Sequence, residues 1–206
     1  MHKEVLSINQ LDLLPLVKQF IREYYLVGGT AIALYIGHRR SIDFDLFTYG
    51  TLKPKKIVSQ ISAYSYPFTI TRRVTEQMNI TILDVKFTFF QYPFMIDANC
   101  RFEDDLRLPE LIDLAAMKAY ALGRRSKWKD YVDLYFLLKN HYSVEQIIQR
   151  GSEIYDQLFS GKLFRAQLSY FEDIDHSEAI EYLTPAVPDE EIKAFLVDKA
   201  TDIDLF

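Results

Sequence analysis

The sequence predicts an α+β fold, with a mixed sheet flanked by helices over residues 1–104 and an all-helical domain over residues 105–206. Two stretches carry strand patterns. Residues 41–47 alternate between apolar and polar side chains, and residues 79–90 are rich in β-branched and aromatic side chains. Beyond residue 105, apolar residues recur at helical spacing instead. The change of pattern near residue 105 is the reason for placing a domain boundary there.

The elements of the N-terminal half follow in order from local patterns. Residues 8–20 carry apolar side chains at helical spacing, which predicts a helix. Residues 24–27 form a short apolar strand that the Gly28-Gly29 pair stops. Thr30 is a candidate N-cap for a short helix over residues 31–36. The remaining expected elements are a helix over residues 55–65 and strands over residues 41–47, 69–74 and 79–90.

The C-terminal half is expected to contain several helices. Pro109 and Glu110 begin a predicted helix that runs to Leu122, and a second predicted helix spans residues 128–139. Ser143 begins a third, and the loop between the first two is basic.

Composition narrows the class of protein. The net charge of −5 argues against a surface that binds nucleic acid all over, so an anionic partner would bind a local basic patch. The single cysteine, Cys100, excludes a disulfide within the chain and fits a reducing cytoplasm. The N-terminus lacks the apolar segment of a signal peptide, and the longest apolar run is far too short to span a membrane. We therefore expect a cytoplasmic protein with no membrane partner.

Two aspartates, Asp43 and Asp45, stand two residues apart in the expected strand over residues 41–47. Alternate residues of a strand face the same side, about 6.5–7 Å apart. Two carboxylates so placed repel each other unless a cation neutralises them, and Mg²⁺ (or Mn²⁺) bound together with substrate phosphates would do so. The alternative is a polar strand face that merely tolerates aspartate, a residue otherwise depleted in strands.

The Gly28-Gly29-Thr30 turn is the second candidate for ligand binding. Glycine lets a backbone approach a ligand closely, and the N-terminus of a helix offers its amides to an anion. The alternative is a tight turn that needs positive φ. The sequence has neither the G-x-G-x-x-G fingerprint nor a P-loop. Taken together, the strand, the glycine turn, the helix and the strand with D-x-D resemble the core of polymerase β-like nucleotidyltransferases. This resemblance implies nucleotidyl transfer assisted by metal ions.

Lys118 is expected on the apolar side of its helix, because its position continues the apolar stripe. A buried lysine needs a partner, and a phosphate or the carboxylate of Asp130 would serve. The alternative is a side chain that extends to solvent. For Asp133 the alternative to a functional role is an ordinary i, i+4 pair with Lys129, and for Asp130 it is a favourable place in the early turn of its helix.

Three blocks of sequence, VGGTAIAL, GHRRSIDFDLF and DLAAMKAYALGRRSKWKDYVDLYFLL, resemble the AbiEii/AbiGii toxin family of nucleotidyltransferase-like proteins. The resemblance implies a minimal nucleotidyltransferase domain followed by a helical domain. It also implies a metal-dependent toxin of a type IV toxin–antitoxin or phage-defence system. Such a toxin would transfer a nucleotide from a nucleoside triphosphate to an RNA hydroxyl, with tRNA as the expected acceptor and a cognate antitoxin encoded nearby.

The family motifs imply roles for particular residues. The phosphate-binding turn matches Gly28, Gly29 and Thr30, and the metal-binding pair matches Asp43 and Asp45. The remaining matches are Arg40 and Ser41 as substrate-binding residues and Lys118 and Asp130 as catalytic residues. Apart from the family motifs, the position of Arg124, Arg125 and Lys127 in the basic loop makes them candidate contacts for RNA phosphates.

Nucleotidyltransferases commonly carry a third carboxylate that activates the incoming hydroxyl. The resemblance places Thr88 where some members carry aspartate, and threonine cannot act as a general base at neutral pH. Asp84, which is four residues earlier and lies either on the same face of the expected strand or in a turn, or Asp130 could substitute. Otherwise the protein is a weak enzyme or a nucleotide-binding module. A protein side chain or a small molecule stays open as the acceptor in place of RNA.

Overall fold

The chain divides into two compact units, Met1–Glu110 and Leu111–Phe206. The structure is a computed structural model that describes residues 1–122 and 124–202. In these residues, every β-strand lies in the first unit and the second unit is built from helices. The α+β class and the helical C-terminal half are therefore confirmed. The division falls beyond residue 104, because the residues just after it belong to a hairpin of the first unit.

A mixed sheet forms the first unit. Within the described residues its strands are β1 (Tyr25–Val27), β2 (Phe44–Thr48), β3 (Phe68–Arg73), β4 (Gln77–Ile82) and β5 (Val85–Gln91). Their spatial order is β1-β2-β5-β4-β3; β2 and β5 run parallel and the other neighbours are antiparallel. The hairpin consists of β6 (Cys100–Phe102) and β7 (Leu106–Leu108), which the sequence pattern did not predict.

One expectation about the sheet is wrong: residues 79–90 are two strands, not one. The chain turns at Leu83 and Asp84, whose φ angles are 49° and 62°. No glycine or proline marks this left-handed turn in the sequence. Instead, the side-chain amide of Asn9 donates to the Leu83 carbonyl at 2.8 Å. Asp84 tolerates the left-handed conformation, and the contact with Asn9 adds tertiary support to the turn.

One face of the sheet packs into an aromatic core. Phe87 and Phe89 of β5 are fully buried, and the ring of Phe89 contacts those of Phe20 and Tyr24 edge-on, with centroids 4.9 and 5.4 Å away. Burying a side chain of this size stabilises a fold by about 1.5–3 kcal/mol. Side chains alternate along each strand, so the half-buried Asp45 lies on the other face from its buried neighbour Phe44.

In chain order, the α-helices of the described residues are α1 (Ile8–Val17), α2 (Gly28–Ile36), α3 (Pro54–Ser62), α4 (Leu111–Leu122), α5 (Trp128–Asn140), α6 (Val144–Tyr155), α7 (Gly161–Leu168) and α8 (Asp189–Thr201). Capping boxes from Ser7 and Ser143 begin α1 and α6. None of the helices in the described residues is long and apolar enough to cross a membrane.

Strand β3 forms an exposed edge of the sheet. It pairs with β4, its register shifts between Ile70 and Arg72, and its residues after Phe68 are all exposed. Two arginines, Arg72 and Arg73, end the strand.

Candidate active site

Helix α2 begins directly at Gly28, so the glycine pair forms its first turn. Thr30 is therefore not the N-cap; that position belongs to Val27, which has no side-chain cap. The positive φ of Gly28, 73°, lets the chain pass from β1 into the helix without a loop. Amides of a first helical turn lack acceptors within the helix and carry partial positive charge. This helix end is suited to bind a phosphate.

The Asp45 carboxylate lies against the start of α2. Strand β1 pairs with β2 so that Val27 stands opposite Asp45, one residue before the helix. A Cβ built on Gly28 would lie only 2.3 Å from Oδ2 of Asp45. Glycine is thus required at position 28 for two reasons, its backbone conformation and the space that the carboxylate occupies.

The aspartate pair flanks the first residue of β2. Asp43 precedes Phe44 and Asp45 follows it, and both are half-buried. The strand was expected to include Ile42 on its apolar face, but Ile42 lies before the strand and is 56% exposed. Among the described residues, Asp45 forms no ion pair and no side-chain hydrogen bond. We call Gly28, Gly29, Asp43 and Asp45 the glycine–aspartate site.

Thr30 fixes the segment that leads into β2. Its hydroxyl oxygen lies 2.5 Å from the carbonyl oxygen of Asp43, to which it donates, and 2.9 Å from Oγ of Ser41. Thr30 itself is buried. Its side chain therefore positions the aspartate pair relative to α2.

A buried arginine that the sequence did not single out lies beside Gly29. A Cβ on Gly29 would approach Nη2 of Arg39 to 2.5 Å and Oγ of Ser41 to 3.1 Å. Arg39 is 4% exposed and donates from Nη1 to the Arg40 carbonyl at 3.0 Å. It places a positive charge next to the first turn of α2.

Arg40, the arginine that the family motif implies, contacts the N-terminal segment. Its Nη1 donates to the carbonyls of Glu4 and Leu6, both at 3.2 Å. This contact holds the segment before α1 in place. A role of Arg40 in substrate binding stays a prediction.

Thr88 is the residue that the sheet places beside Asp45. It is paired with Asp45 across β2 and β5 and is 8% exposed. Asp84 lies in the exposed turn between β4 and β5, four residues before Thr88 and so about 13 Å away along the strand direction. The neighbouring strand therefore offers a hydroxyl at the register of Asp45.

The donor set at the glycine–aspartate site fits a magnesium-type cation. No group of three or more His, Cys, Asp or Glu side chains that could hold a metal occurs in the described residues. Mg²⁺ commonly binds through one or two carboxylates, with substrate phosphates and water completing its coordination. Asp43 and Asp45 can supply such a pair of oxygen ligands.

A second charged cluster lies in the second unit, between α4 and α5. The Lys118 ammonium is 2.6 Å from Oδ1 of Asp130 and 2.9 Å from Oδ2 of Asp133, and all three side chains are buried. Arg125 donates from Nε to Oδ2 of Asp130 at 2.8 Å. We call these four residues the Lys118 cluster. The lysine is paired with carboxylates rather than extended to solvent.

The pKa of Asp130 depends on the balance between its burial and the positive charges beside it. Burial alone raises the pKa of this carboxyl, but the Lys118 ammonium and the Arg125 guanidinium outweigh burial. The pKa of Asp130 is therefore held below its ordinary value, and the carboxylate stays ionised at neutral pH.

The alternative for Asp133, an i, i+4 pair with Lys129, is wrong. Asp133 faces Lys118, whereas Lys129 contacts Glu178. Aspartate 133 lies on the buried side of α5, where a partner from the adjacent helix replaces the i, i+4 neighbour.

The cationic side chains of the basic loop before α5 contact other side chains of the protein. The guanidinium carbon of Arg124 lies 3.4 Å from the ring centroid of Tyr120, and Lys127 contacts Glu178. Arg125 contacts Asp130 as described. RNA contacts by these residues stay a prediction.

The fold is of the nucleotidyltransferase type. It is similar to that of MenT4, a nucleotidyltransferase toxin from Mycobacterium tuberculosis H37Rv, with a TM-score of 0.61 at 13% identity over 96% of this chain and 84% of that one. JHP933 from Helicobacter pylori gives a TM-score of 0.57 at 17% identity over 97% of this chain and 91% of that one. At these identities the likeness concerns the fold alone.

The sequence comparisons go further and define the family. The family model described as nucleotidyl transferase AbiEii toxin, type IV TA system, matches residues 83–204. An uncharacterized protein of Aquifex aeolicus (strain VF5) is 30% identical in an alignment of 195 positions that covers 87% of this chain and 87% of that one. The chain belongs to the AbiEii nucleotidyl transferase toxin family, so the resemblance seen in the sequence is confirmed. Family and fold together support a nucleotidyltransferase enzyme.

Proposed function

We propose that the protein is a metal-dependent nucleotidyltransferase toxin that transfers a nucleotide from a nucleoside triphosphate to an RNA hydroxyl, with tRNA as the acceptor. The contact between Asp45 and Gly28 carries this proposal. A carboxylate without an ion pair among the described residues lies against a helix end suited to phosphate. Phosphate and carboxylate repel each other, so a cation is needed between them. A nucleoside triphosphate with its divalent cation supplies both.

Asp43 and Asp45 would hold Mg²⁺ (or Mn²⁺) in this proposal. The ion supplies Lewis-acid stabilisation of the phosphate charge when it is bound. The first-turn amides of α2 bind phosphate oxygens, and the Arg39 guanidinium adds a fixed positive charge beside Gly29. Thr30 keeps the aspartates in register with the helix end.

The reaction forms one bond and breaks another. The acceptor hydroxyl oxygen attacks the α-phosphorus, the bond from that phosphorus to the pyrophosphate oxygen breaks, and pyrophosphate leaves. Thr88 cannot accept the hydroxyl proton at neutral pH, so the proton passes to water. Transfer then depends on positioning and charge stabilisation, which dominate this kind of chemistry, and turnover is expected to be slow.

A transfer assay tests the proposal. The protein is incubated with Mg²⁺, each labelled nucleoside triphosphate and total tRNA, in parallel with protein and small-molecule acceptors. Label on tRNA that Asp45→Asn abolishes supports the proposal. Label on protein or small molecules alone would move the acceptor to another class. Folded protein that labels nothing would count against nucleotidyl transfer altogether.

A nucleotide-binding module without turnover is the second candidate, and Thr88 at the register of Asp45 favours it. Calorimetry distinguishes the two. Triphosphate binding in the presence of Mg²⁺, with no product after long incubation, would support the module.

We further propose that the protein acts within a toxin–antitoxin pair with a role in phage defence, as membership of its family suggests. Expression is expected to inhibit growth, and co-expression of the neighbouring antitoxin gene is expected to relieve the inhibition. Growth inhibition that persists unchanged in Asp45→Asn would argue against a catalytic toxin.

A further inference from the structure

A groove of about 950 Å³ opens in the first unit, beside the segment that leads into β1. Its walls come from the chain just after α1, from α3 and from the β6–β7 hairpin. The charged residues that line it are Lys18, Arg22, Glu23, Lys56, Arg101 and Arg107. We call it the basic groove.

Cations outnumber carboxylates in the basic groove. Glu23 contacts Lys56, and Asp105 contacts Lys18 at 2.9 Å. Among the described residues, the three arginines of the groove have no carboxylate partner. This local excess is opposite in sign to the net charge of −5 for the whole chain. The groove is therefore a local site for an anion on an otherwise acidic protein.

The arginines of the groove differ in how they are held. Arg107 is half-buried and donates from Nε to the Ala98 carbonyl at 3.1 Å and from Nη1 to the Ile21 carbonyl at 3.3 Å. Arg22 and Arg101 are exposed. A guanidinium presents a planar set of donors that matches phosphate oxygens. One arginine is thus fixed by backbone carbonyls, and two others stand open to a ligand.

The basic groove and the glycine–aspartate site lie at the two ends of β1. Residues 21–23 line the groove before the strand, and Gly28 follows Val27 after it. The strand is three residues long, which corresponds to about 10 Å. A polyanion that reaches the glycine–aspartate site with one end could contact the groove with phosphates further along.

We propose that the basic groove binds the phosphodiester backbone of the RNA acceptor, upstream of the hydroxyl that receives the nucleotide. The identity of the acceptor rests on the proposed function. Phosphate contacts set the position of a nucleic acid and carry no direct sequence information. The groove therefore governs the affinity for RNA and leaves the choice of nucleoside triphosphate unchanged.

RNA binding without nucleotide tests the groove. Fluorescence anisotropy of labelled tRNA is measured over a range of salt concentrations for the wild type, Arg22→Ala/Arg101→Ala and Asp45→Asn. Loss of two phosphate contacts is expected to lower the slope of log K against log salt by about 1.4–1.8 and to weaken binding roughly tenfold or more near 0.15 M salt. In the transfer assay the KM for RNA rises, while kcat and the KM for nucleotide stay the same.

A charge-matched variant serves as the control. Lys3→Ala/Lys193→Ala also removes two positive charges, but each lysine already contacts a glutamate, Glu103 at 3.0 Å and Glu190 at 2.9 Å. Its salt dependence is expected to equal that of the wild type, and Asp45→Asn is expected to bind RNA normally.

The outcomes separate the groove from the function. If the arginine variant and the lysine variant bind RNA equally well, the groove is not the RNA-binding site. The proposed function still stands in that case if label reaches RNA. Wild-type protein that binds no RNA overturns the groove, and label found only on other acceptors would then also remove RNA as the acceptor. RNA binding lost in the arginine variant, with no transfer by the wild type, supports the groove and counts against the enzyme.

Discussion

The glycine–aspartate site and the Lys118 cluster are both built from aspartates, yet their charges are arranged in opposite ways. In the cluster, a buried lysine bridges Asp130 and Asp133, and Arg125 completes the balance. In the glycine–aspartate site, Asp45 is half-buried and forms no ion pair among the described residues. The cluster satisfies its charges internally, whereas the site leaves a carboxylate beside a helix end.

This difference separates stability from ligand binding. Buried charges that match one another contribute to holding α4 and α5 together, and removing one of them leaves the others uncompensated. A half-exposed carboxylate next to a helix N-terminus needs a cation when phosphate binds. Aspartate alone therefore does not identify a catalytic position; its partners do.

The largest expected effect is on folding, from Lys118→Met. Two buried carboxylates lose their lysine, and the free energy of unfolding is expected to fall by about 3–5 kcal/mol. Urea denaturation measures the change. The half-buried Lys193, which contacts the exposed Glu190 at 2.9 Å, provides the control, since Lys193→Met is expected to cost less than about 1 kcal/mol.

The alternative for Lys118 is direct contact with nucleotide, as the family motif implies. If Lys118→Met left the free energy of unfolding unchanged but abolished nucleotide transfer, Lys118 would contact nucleotide. The contrast between a stabilising cluster and a ligand-binding site would then fail. If Lys118→Met does not accumulate, Asp133→Asn gives the same measurement from the other side of the pair.

The next largest effect is on activity, from Asp45→Asn. The amide keeps the shape of the side chain and removes its charge, so transfer is expected to fall about 10²–10³-fold, the range for losing one preorganised electrostatic group. Stability is expected to stay within about 0.5 kcal/mol. Asp12→Asn, on the exposed side of α1, removes an equal charge and is expected to be silent. A lower thermal midpoint for Asp45→Asn than for the wild type would show instead that the carboxylate stabilises the fold.

Gly28→Ala and Gly37→Ala can be compared within one helix. Gly28 begins α2 and Gly37 follows its last residue, and both have positive φ, 73° and 67°. Either alanine is expected to destabilise the fold by about 1–3 kcal/mol through the left-handed conformation. At Gly28 the new Cβ also displaces the Asp45 carboxylate, whereas at Gly37 it meets the His2 ring. Transfer should be lost in Gly28→Ala and kept in Gly37→Ala. Equal activity of the two variants would contradict the coupling of Gly28 to Asp45.

The smallest effect concerns acid stability and Asp130. Its pKa is lowered in the folded state, so its contribution is complete above the ordinary aspartate value of about 4 and is lost as pH falls below it. Unfolding free energies of the wild type measured from pH 6 to pH 3 should therefore decline more steeply than those of Asp130→Asn. Parallel profiles would show that the cluster does not depend on this charge.

The local order of the chain made the glycine–aspartate site predictable. The glycine turn, the short helix and the D-x-D pair follow within about twenty residues, and antiparallel pairing of β1 with β2 then brings Asp45 to Gly28. Alternation along β2 likewise determines which side of the sheet carries Asp45.

Tertiary contacts decided what the sequence could not show. Arg39 and Arg40 are adjacent, and only packing determines which of them lies beside Gly29. The turn at Leu83 and Asp84 depends on Asn9, far away in the chain. Helical spacing favours Lys129 as the partner of Asp133. Asp133 instead contacts Lys118 of α4, because it lies on the buried side of α5.

The arginines at the end of β3 bear on how copies of the protein behave in concentrated solution. An exposed edge strand can add a strand from a second molecule, which leads to aggregation. Parallel edge-to-edge approach of two copies would bring four guanidinium groups from Arg72 and Arg73 together. In either direction of approach, the register shift between Ile70 and Arg72 disturbs the regular pairing that such contact needs. The edge thus keeps its backbone groups exposed while opposing self-association.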